Sequence, residues 1–153
     1  MTALETRVPP MVWALLAGLI EFGLSPVDSL LDASWVTAFA VVIAVAGIAL
    51  SAAGIAEFGR AHTSVDPHSI EKASTLVTSG VYRVTRNPMY VGLLVLLVAF
   101  GLWRGSLAAV SVGPILFVVV MTRLQIIPEE RMLGDKFGVA YDEFSESSRR
   151  WLW

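Results

Sequence analysis

The chain has no cysteine, only two histidines, and charged side chains at just 16% of its 153 positions. Without cysteine there is no disulfide scaffold, no thiolate metal site and no cysteine nucleophile, and the redox compartment stays open. The scarcity of charge says more. Soluble domains carry about 25% charged and about 45–50% apolar residues, whereas this chain is 56% hydrophobic with a mean hydropathy of +0.69. A formal net charge of −2 offers no basic surface to nucleic acid. What remains is one short domain suited to a lipid bilayer.

Charge-free runs place the membrane segments. Trp35 to Ala56 contains no Asp, Glu, Lys or Arg, and at ~1.5 Å per residue it reaches across a ~30 Å hydrocarbon core. Asn87 to Trp103 and Gly105 to Thr122 are two further runs separated only by Arg104, which reads as the tip of a helical hairpin. Val8 to Val27 is a fourth, interrupted by Glu21 and opening with Pro9 and Pro10, which suit a first helical turn. With only Arg7 before it and no small-residue cleavage site after it, it reads as a retained span rather than a signal peptide. The predicted fold class is all-α: an integral membrane bundle of four transmembrane helices at residues 8–27, 35–56, 87–103 and 105–127. A cytoplasmic cap would come from the connection 57–86 and the tail 128–153, all within a single membrane domain, 1–153.

Four spans put Arg7, Arg60, Lys72, Arg83, Arg86, Arg123, Arg131, Lys136, Arg149 and Arg150 on one side. Arg104 stands alone opposite, near Asp28 and Asp32. Positive loops stay cytoplasmic, so both termini are expected there. Gly47, Ser51 and Gly54 either let a neighbouring helix approach closely or reflect ordinary membrane-helix composition. Glu21, about one turn from Pro26, is read as lying near the far interface, and Trp13, Trp35, Trp103, Trp151 and Trp153 suit the interfacial belt.

The polar parts carry the chemistry. The connection 57–86 mixes His62, Thr63, Asp66, His68, Lys72, Tyr82 and Arg86 with Val65, Ile70, Leu76, Val77 and Val81, the composition of a structured loop. Ser79-Gly80 supplies a turn, and Arg86-Asn87-Pro88 starts the third span, with Asn87 able to cap it and Pro88 in its first turn. A helix N-terminus beside Arg86 suits a carboxylate or phosphate; alternatively Arg83 and Arg86 merely anchor the span at the headgroups. In the tail, Glu129 and Glu130 follow Pro128 in the first turn of a further helix. A solvated amphipathic helix with Arg131, Asp135, Lys136 and Glu143 explains them; so does an acidic pair that faces residues 83–86 and holds a cationic ligand. His62 and His68 lie outside the spans at a spacing of six, and no metal site is expected.

The run Leu76-Val77-Thr78-Ser79-Gly80-Val81-Tyr82-Arg83-Val84-Thr85-Arg86-Asn87-Pro88-Met89-Tyr90-Val91-Gly92 resembles the signature of the isoprenylcysteine carboxyl methyltransferase and phospholipid methyltransferase group, roughly Leu-Val-x-x-Gly-x-Tyr-x-x-x-Arg-His-Pro-x-Tyr-x-Gly. A second block also matches: Glu129-Glu130 with Leu133, Phe137-Gly138 with Tyr141, and a closing Arg150-Trp151; upstream, Thr63, Val65 and Pro67 fit the bacterial members. The resemblance covers about residues 55–153. It implies an integral-membrane enzyme that moves a methyl group from S-adenosylmethionine to a lipophilic acceptor, in a bacterial inner membrane. Carried over by position, it implies a cofactor shell of Val77, Gly80, Val81, Tyr82, Asn87, Pro88, Tyr90, Glu129 and Glu130, with Arg86 orienting an acceptor carboxylate or phosphate. Asn87 stands where the family usually has His and does not titrate near neutrality, so no base is assigned there. Phe144 replaces the second Tyr of the tail motif.

A Gly-rich strand-to-helix loop is absent, which excludes a soluble Rossmann-type methyltransferase. A carboxylate acceptor, such as an isoprenylcysteine carboxyl, needs no base; a lipid amine does, and Glu130 is the nearest candidate. The expected partners are a lipophilic or lipidated acceptor and membrane lipids. The competing readings are lipid amine N-methylation and a non-catalytic membrane binding or assembly protein that retains the fold.

Overall fold

The structure, a computed structural model, describes residues 8–27, 31, 33–61 and 75–153. Arg7, Asp28, Asp32, His62, Thr63, Val65, Asp66, Pro67, His68, Ile70 and Lys72, all used in reading the sequence, lie outside the described residues. Among the described residues every named element is helical. Helix α1 spans Pro10–Leu24 and ends in a 3₁₀ turn, Ser25–Val27; α2 spans Ser34–Arg60. A 3₁₀ turn, Gly80–Arg83, precedes α3, Pro88–Trp103. Helix α4, Leu107–Met121, passes through a π-helical segment, Thr122–Ile126, into α5, Ile127–Phe137, and α6 covers Val139–Ser147.

Two connections meet at one end of the bundle. The Leu31 amide donates to the Gly105 carbonyl at 2.9 Å, and Arg104 donates from Nε and Nη2 to Ser25 Oγ at 3.1 and 3.0 Å. Arg104 is therefore at the hairpin tip, as its isolation between two apolar runs suggests. The turn at 79–83 and the C-terminal residues gather at the other end.

Helix α2 (mean hydropathy 2.4) and the continuous helix Leu107–Phe137 (2.1) are long and apolar enough to cross a membrane. Helices α1 and α3 are as apolar but shorter, 15 and 16 residues, or ~23 Å at ~1.5 Å per residue. Leu15, Leu19, Val42, Val45, Ile48 and Ile115 are each more than half exposed. A soluble monomer does not present apolar side chains on that scale; lipid is the solvent that fits them. Helix α2 packs along α3 through its small residues. A Cβ on Gly92 would stand 2.0 Å from Ser51 Oγ and 2.7 Å from the Gly47 carbonyl oxygen, so this contact admits no side chain.

Three expectations change. Glu21 is not at a wet interface: it is fully buried, its carboxylate lies against Gly113 of α4, and neither oxygen has a hydrogen-bond partner. Trp151 is not in an interfacial belt; it is buried in the core with Tyr90, Val91, Phe117, Met121 and Ile126, and its indole donates to Thr122 Oγ1 at 3.1 Å. Pro128 stands in the first turn of α5 with Glu129 and Glu130 after it, as the sequence suggests, but α5 continues the preceding helix rather than opening a separate one. The backbone stays helical through Met121, Ile126 and Ile127, and the Ile127 amide reaches back to Thr122, one residue further than in an α-helix. This wider turn carries the chain past a residue with no amide proton.

Candidate functional site

The two sequence blocks converge at the end of the bundle opposite Arg104. Asn87 occupies the N-cap position of α3, yet its side chain does not cap; Nδ2 donates to the Arg150 carbonyl at 2.9 Å. The capping expectation fails because the C-terminal strap competes for that side chain. The strap runs beside the start of α3: Arg86 N donates to the Arg149 carbonyl at 2.7 Å, Thr85 Oγ1 to the Arg150 carbonyl at 3.3 Å, and Thr85 pairs with Arg149 as a parallel bridge.

The acids divide their partners. Glu129 is buried; its Oε1 accepts from Tyr90 Oη at 2.8 Å and from Gln125 Nε2. Gln125 and Glu129 are one helical turn apart, so the π segment that turns α5 also sets this contact. Glu130 is held by a two-pronged contact from Arg150, Nε to Oε1 at 2.9 Å and Nη2 to Oε2 at 2.6 Å, and Arg86 Nη2 approaches Oε1 at 3.4 Å. Arg86 also donates to the Ser145 and Ser148 carbonyls, the latter at 2.7 Å. The guanidinium thus ties the start of α3 to α5 and α6 and keeps Nε buried without a partner. An incoming amine seeking Glu130 must displace a guanidinium.

Val77 and Tyr82 are buried with Tyr141 and Phe144, and Val81 packs against this cluster. Phe144, the departure from the family tyrosine, fills apolar space here, with its ring centroid 6.4 Å from that of Tyr141. Gly80 has φ +58 and lies against the Glu57 carboxylate; Pro88 is buried beside Gly54. Burial, reinforced by the charges of Glu129 and Glu57, pushes the Tyr82 hydroxyl well above the ordinary phenol value. Burial likewise pushes Tyr141 up to about 12, with the Glu130 charge adding to it. Both phenols thus stay neutral around physiological pH. Arg150 is held more firmly protonated by its hydrogen bond to Glu130.

All nine residues of the expected shell and Arg86 therefore lie at one end, on the turn 77–82, the start of α3 and the start of α5. Beside them a cleft of about 570 Å³ opens between the turn and α6, lined by Leu76, Thr78, Arg83, Ala140, Glu143, Phe144 and Ser147. Sequence reasoning missed Gln125, Thr85 and Glu57. The signal for Gln125 was its place one turn before Glu129; for Glu57 it was an acid directly after a charge-free run. No cluster of three or more metal-ligating side chains occurs among the described residues.

The sequence profile described as phospholipid methyltransferase matches residues 35–140. The Arabidopsis thaliana protein named Protein-S-isoprenylcysteine O-methyltransferase A is 35% identical over 140 residues, 90% of this chain and 68% of its own length. The B protein of the same plant is 30% identical over 73% of this chain and 56% of its own. Cobalt-zinc-cadmium resistance protein CzcN of Cupriavidus metallidurans is 30% identical over 91% of this chain and 59% of its own. The chain thus spans between about half and two thirds of these relatives. No solved structure matches.

Proposed function

The chain belongs to the phospholipid methyltransferase family, and on that premise we propose that it is a membrane-embedded methyltransferase that uses S-adenosylmethionine to methylate a lipophilic carboxylate of the isoprenylcysteine type. We further propose that all four helices cross the bilayer with both termini cytoplasmic, so that acid pair, turn and cleft form a cytoplasmic cap.

The observation that carries the donor site is a set of buried polar atoms with nothing to bind. Gln125 Oε1 and Arg86 Nε are buried without hydrogen-bond partners, and they flank Glu129 and Glu130 in the fold. A free acceptor beside a carboxylate suits an ammonium, and a free guanidinium N–H suits a carboxylate. S-adenosylmethionine has both ends, and when bound it supplies an electrophilic methyl group on a sulfonium. Glu129 and Gln125 would hold the ammonium, Arg86 the carboxylate, and Val77, Val81 and Tyr82 the less polar remainder. Tyr90 fixes the Glu129 carboxylate with a hydrogen bond from a phenol inside the core.

The chemistry asks little more. Attack of a carboxylate oxygen on the methyl carbon breaks the carbon–sulfur bond, neutralises both charges and releases no proton. No base is required, which agrees with Asn87 in place of a titrating side chain. Positioning and partial dehydration, for which the buried Glu129 and its neighbours provide the setting, are the remaining sources of rate. An apolar acceptor reaches the start of α3 from the lipid that surrounds the helices.

The test is calorimetric titration of the detergent-purified protein with S-adenosylhomocysteine, followed by methyl-transfer assays on an S-prenylated N-acylcysteine and on phosphatidylethanolamine vesicles. Saturable binding with methylation of the prenylated acid supports the reading. Methylation of the phospholipid amine alone replaces the acceptor, and no binding to folded protein overturns the enzyme.

A further inference from the structure

Glu57 belongs to neither sequence block, yet among the described residues it is the most engaged acid outside the proposed donor site. It follows directly on the charge-free run of α2 and is buried. Both oxygens are used: Oε1 accepts from Arg60 and Oε2 from the Ser79 hydroxyl. The chain then passes over the carboxylate so closely that a Cβ on Gly80 would stand 2.5 Å from its carboxyl carbon. Gly80 takes φ +58 at this point, a conformation and a clearance that only glycine meets. The next residue on α2, Phe58, takes the edge of Tyr82 with ring centroids 5.7 Å apart. Two adjacent residues of α2 thus grip one turn, Glu57 by the Ser79 hydroxyl and Phe58 by the Tyr82 ring. That turn carries Gly80, Val81 and Tyr82 into the proposed donor site and Arg83 to the rim of the 570 Å³ cleft.

We propose that Glu57 is a positioning residue for the methyl donor: its carboxylate clasps the Ser79–Gly80 turn to the end of α2 and so fixes the wall formed by Val81 and Tyr82. A buried carboxylate costs desolvation that an apolar side chain would avoid, and here that cost is offset by the hydrogen bond from Ser79 of the turn and by the Arg60 guanidinium. The assignment rests on the donor site argued above, and its test separates the two. Glu57→Leu removes the clasp; Ser79→Ala removes only the bond from the turn and leaves the carboxylate in place, so it carries the test if the first variant does not fold. Amide hydrogen exchange of residues 79–84 is measured in the unliganded proteins, and S-adenosylhomocysteine affinity by calorimetry. The expected result is faster exchange confined to the turn, a Kd raised at least about tenfold, and a turnover rate at saturating donor within about threefold of the parent. Unchanged exchange and affinity in a folded variant overturn the clasp while the donor site stands. Wild-type protein that binds no S-adenosylhomocysteine overturns the donor reading and this assignment with it, whatever the exchange shows.

Discussion

At the scale of single residues, the two adjacent acids of α5 have separate partners. Glu129 offers a buried oxygen to Tyr90 and Gln125, while Glu130 is bound on both oxygens by arginines. Hydrogen bonds to charged groups contribute about 1.5–3 kcal/mol, so Glu129→Gln is expected to weaken S-adenosylhomocysteine binding by about 10- to 100-fold in calorimetry. Glu130→Gln removes the anchor of Arg150 and Arg86 and is expected to lower the thermal midpoint as well as the affinity. Because burial keeps the Tyr141 and Tyr82 hydroxyls above the ordinary phenol value of about 10, the phenolate absorbance of the unliganded protein should stay low from about pH 8 to about pH 10. A rise in that range would show one of these phenols ionising. The sequence named both acids together with Tyr82, Tyr90 and Arg86, but not which of them pair, and it passed over Gln125, whose place one turn before Glu129 is its one signal.

At the scale of elements, the informative feature is the unbroken helix from Leu107 to Phe137. The sequence suggested a new helix at Pro128, because proline favours a first turn. A π segment instead carries the helix past it. Pro128→Ala restores an amide proton for the Leu124 carbonyl and favours regular α register, which turns Glu129 and Glu130 by roughly 100°. The expected outcome is loss of the Tyr90–Glu129 contact and of S-adenosylhomocysteine binding with helicity by circular dichroism intact; undiminished binding would show that the π turn does not aim the acids. The α2–α3 contact gives a second test. Gly92→Val has no space beside Ser51 and Gly47 and is expected to cost about 1–3 kcal/mol or more of stability, read as a lowered thermal midpoint.

At the scale of the whole molecule, four apolar helices connect so that Arg104 lies at one end and the acid pair at the other. The natural absence of cysteine makes the topology directly measurable. Leu107→Cys and Glu146→Cys, both at exposed positions, should react oppositely with a membrane-impermeant maleimide on intact cells, Leu107→Cys labelled and Glu146→Cys protected. Equal labelling would remove the proposed orientation. By itself the sequence determined the lipid-facing composition, the helix positions to within a few residues and the two blocks that carry the family resemblance, because charge-free length and motif spacing are local along the chain. Only the tertiary structure decided that Asn87 turns to the C-terminal strap, that Trp151 and Glu21 are buried, that Arg150 occupies Glu130, and that Glu57 clasps Gly80. Each of those depends on which distant segment fills the neighbouring space, and competition among partners for one polar group is settled by packing, not by spacing.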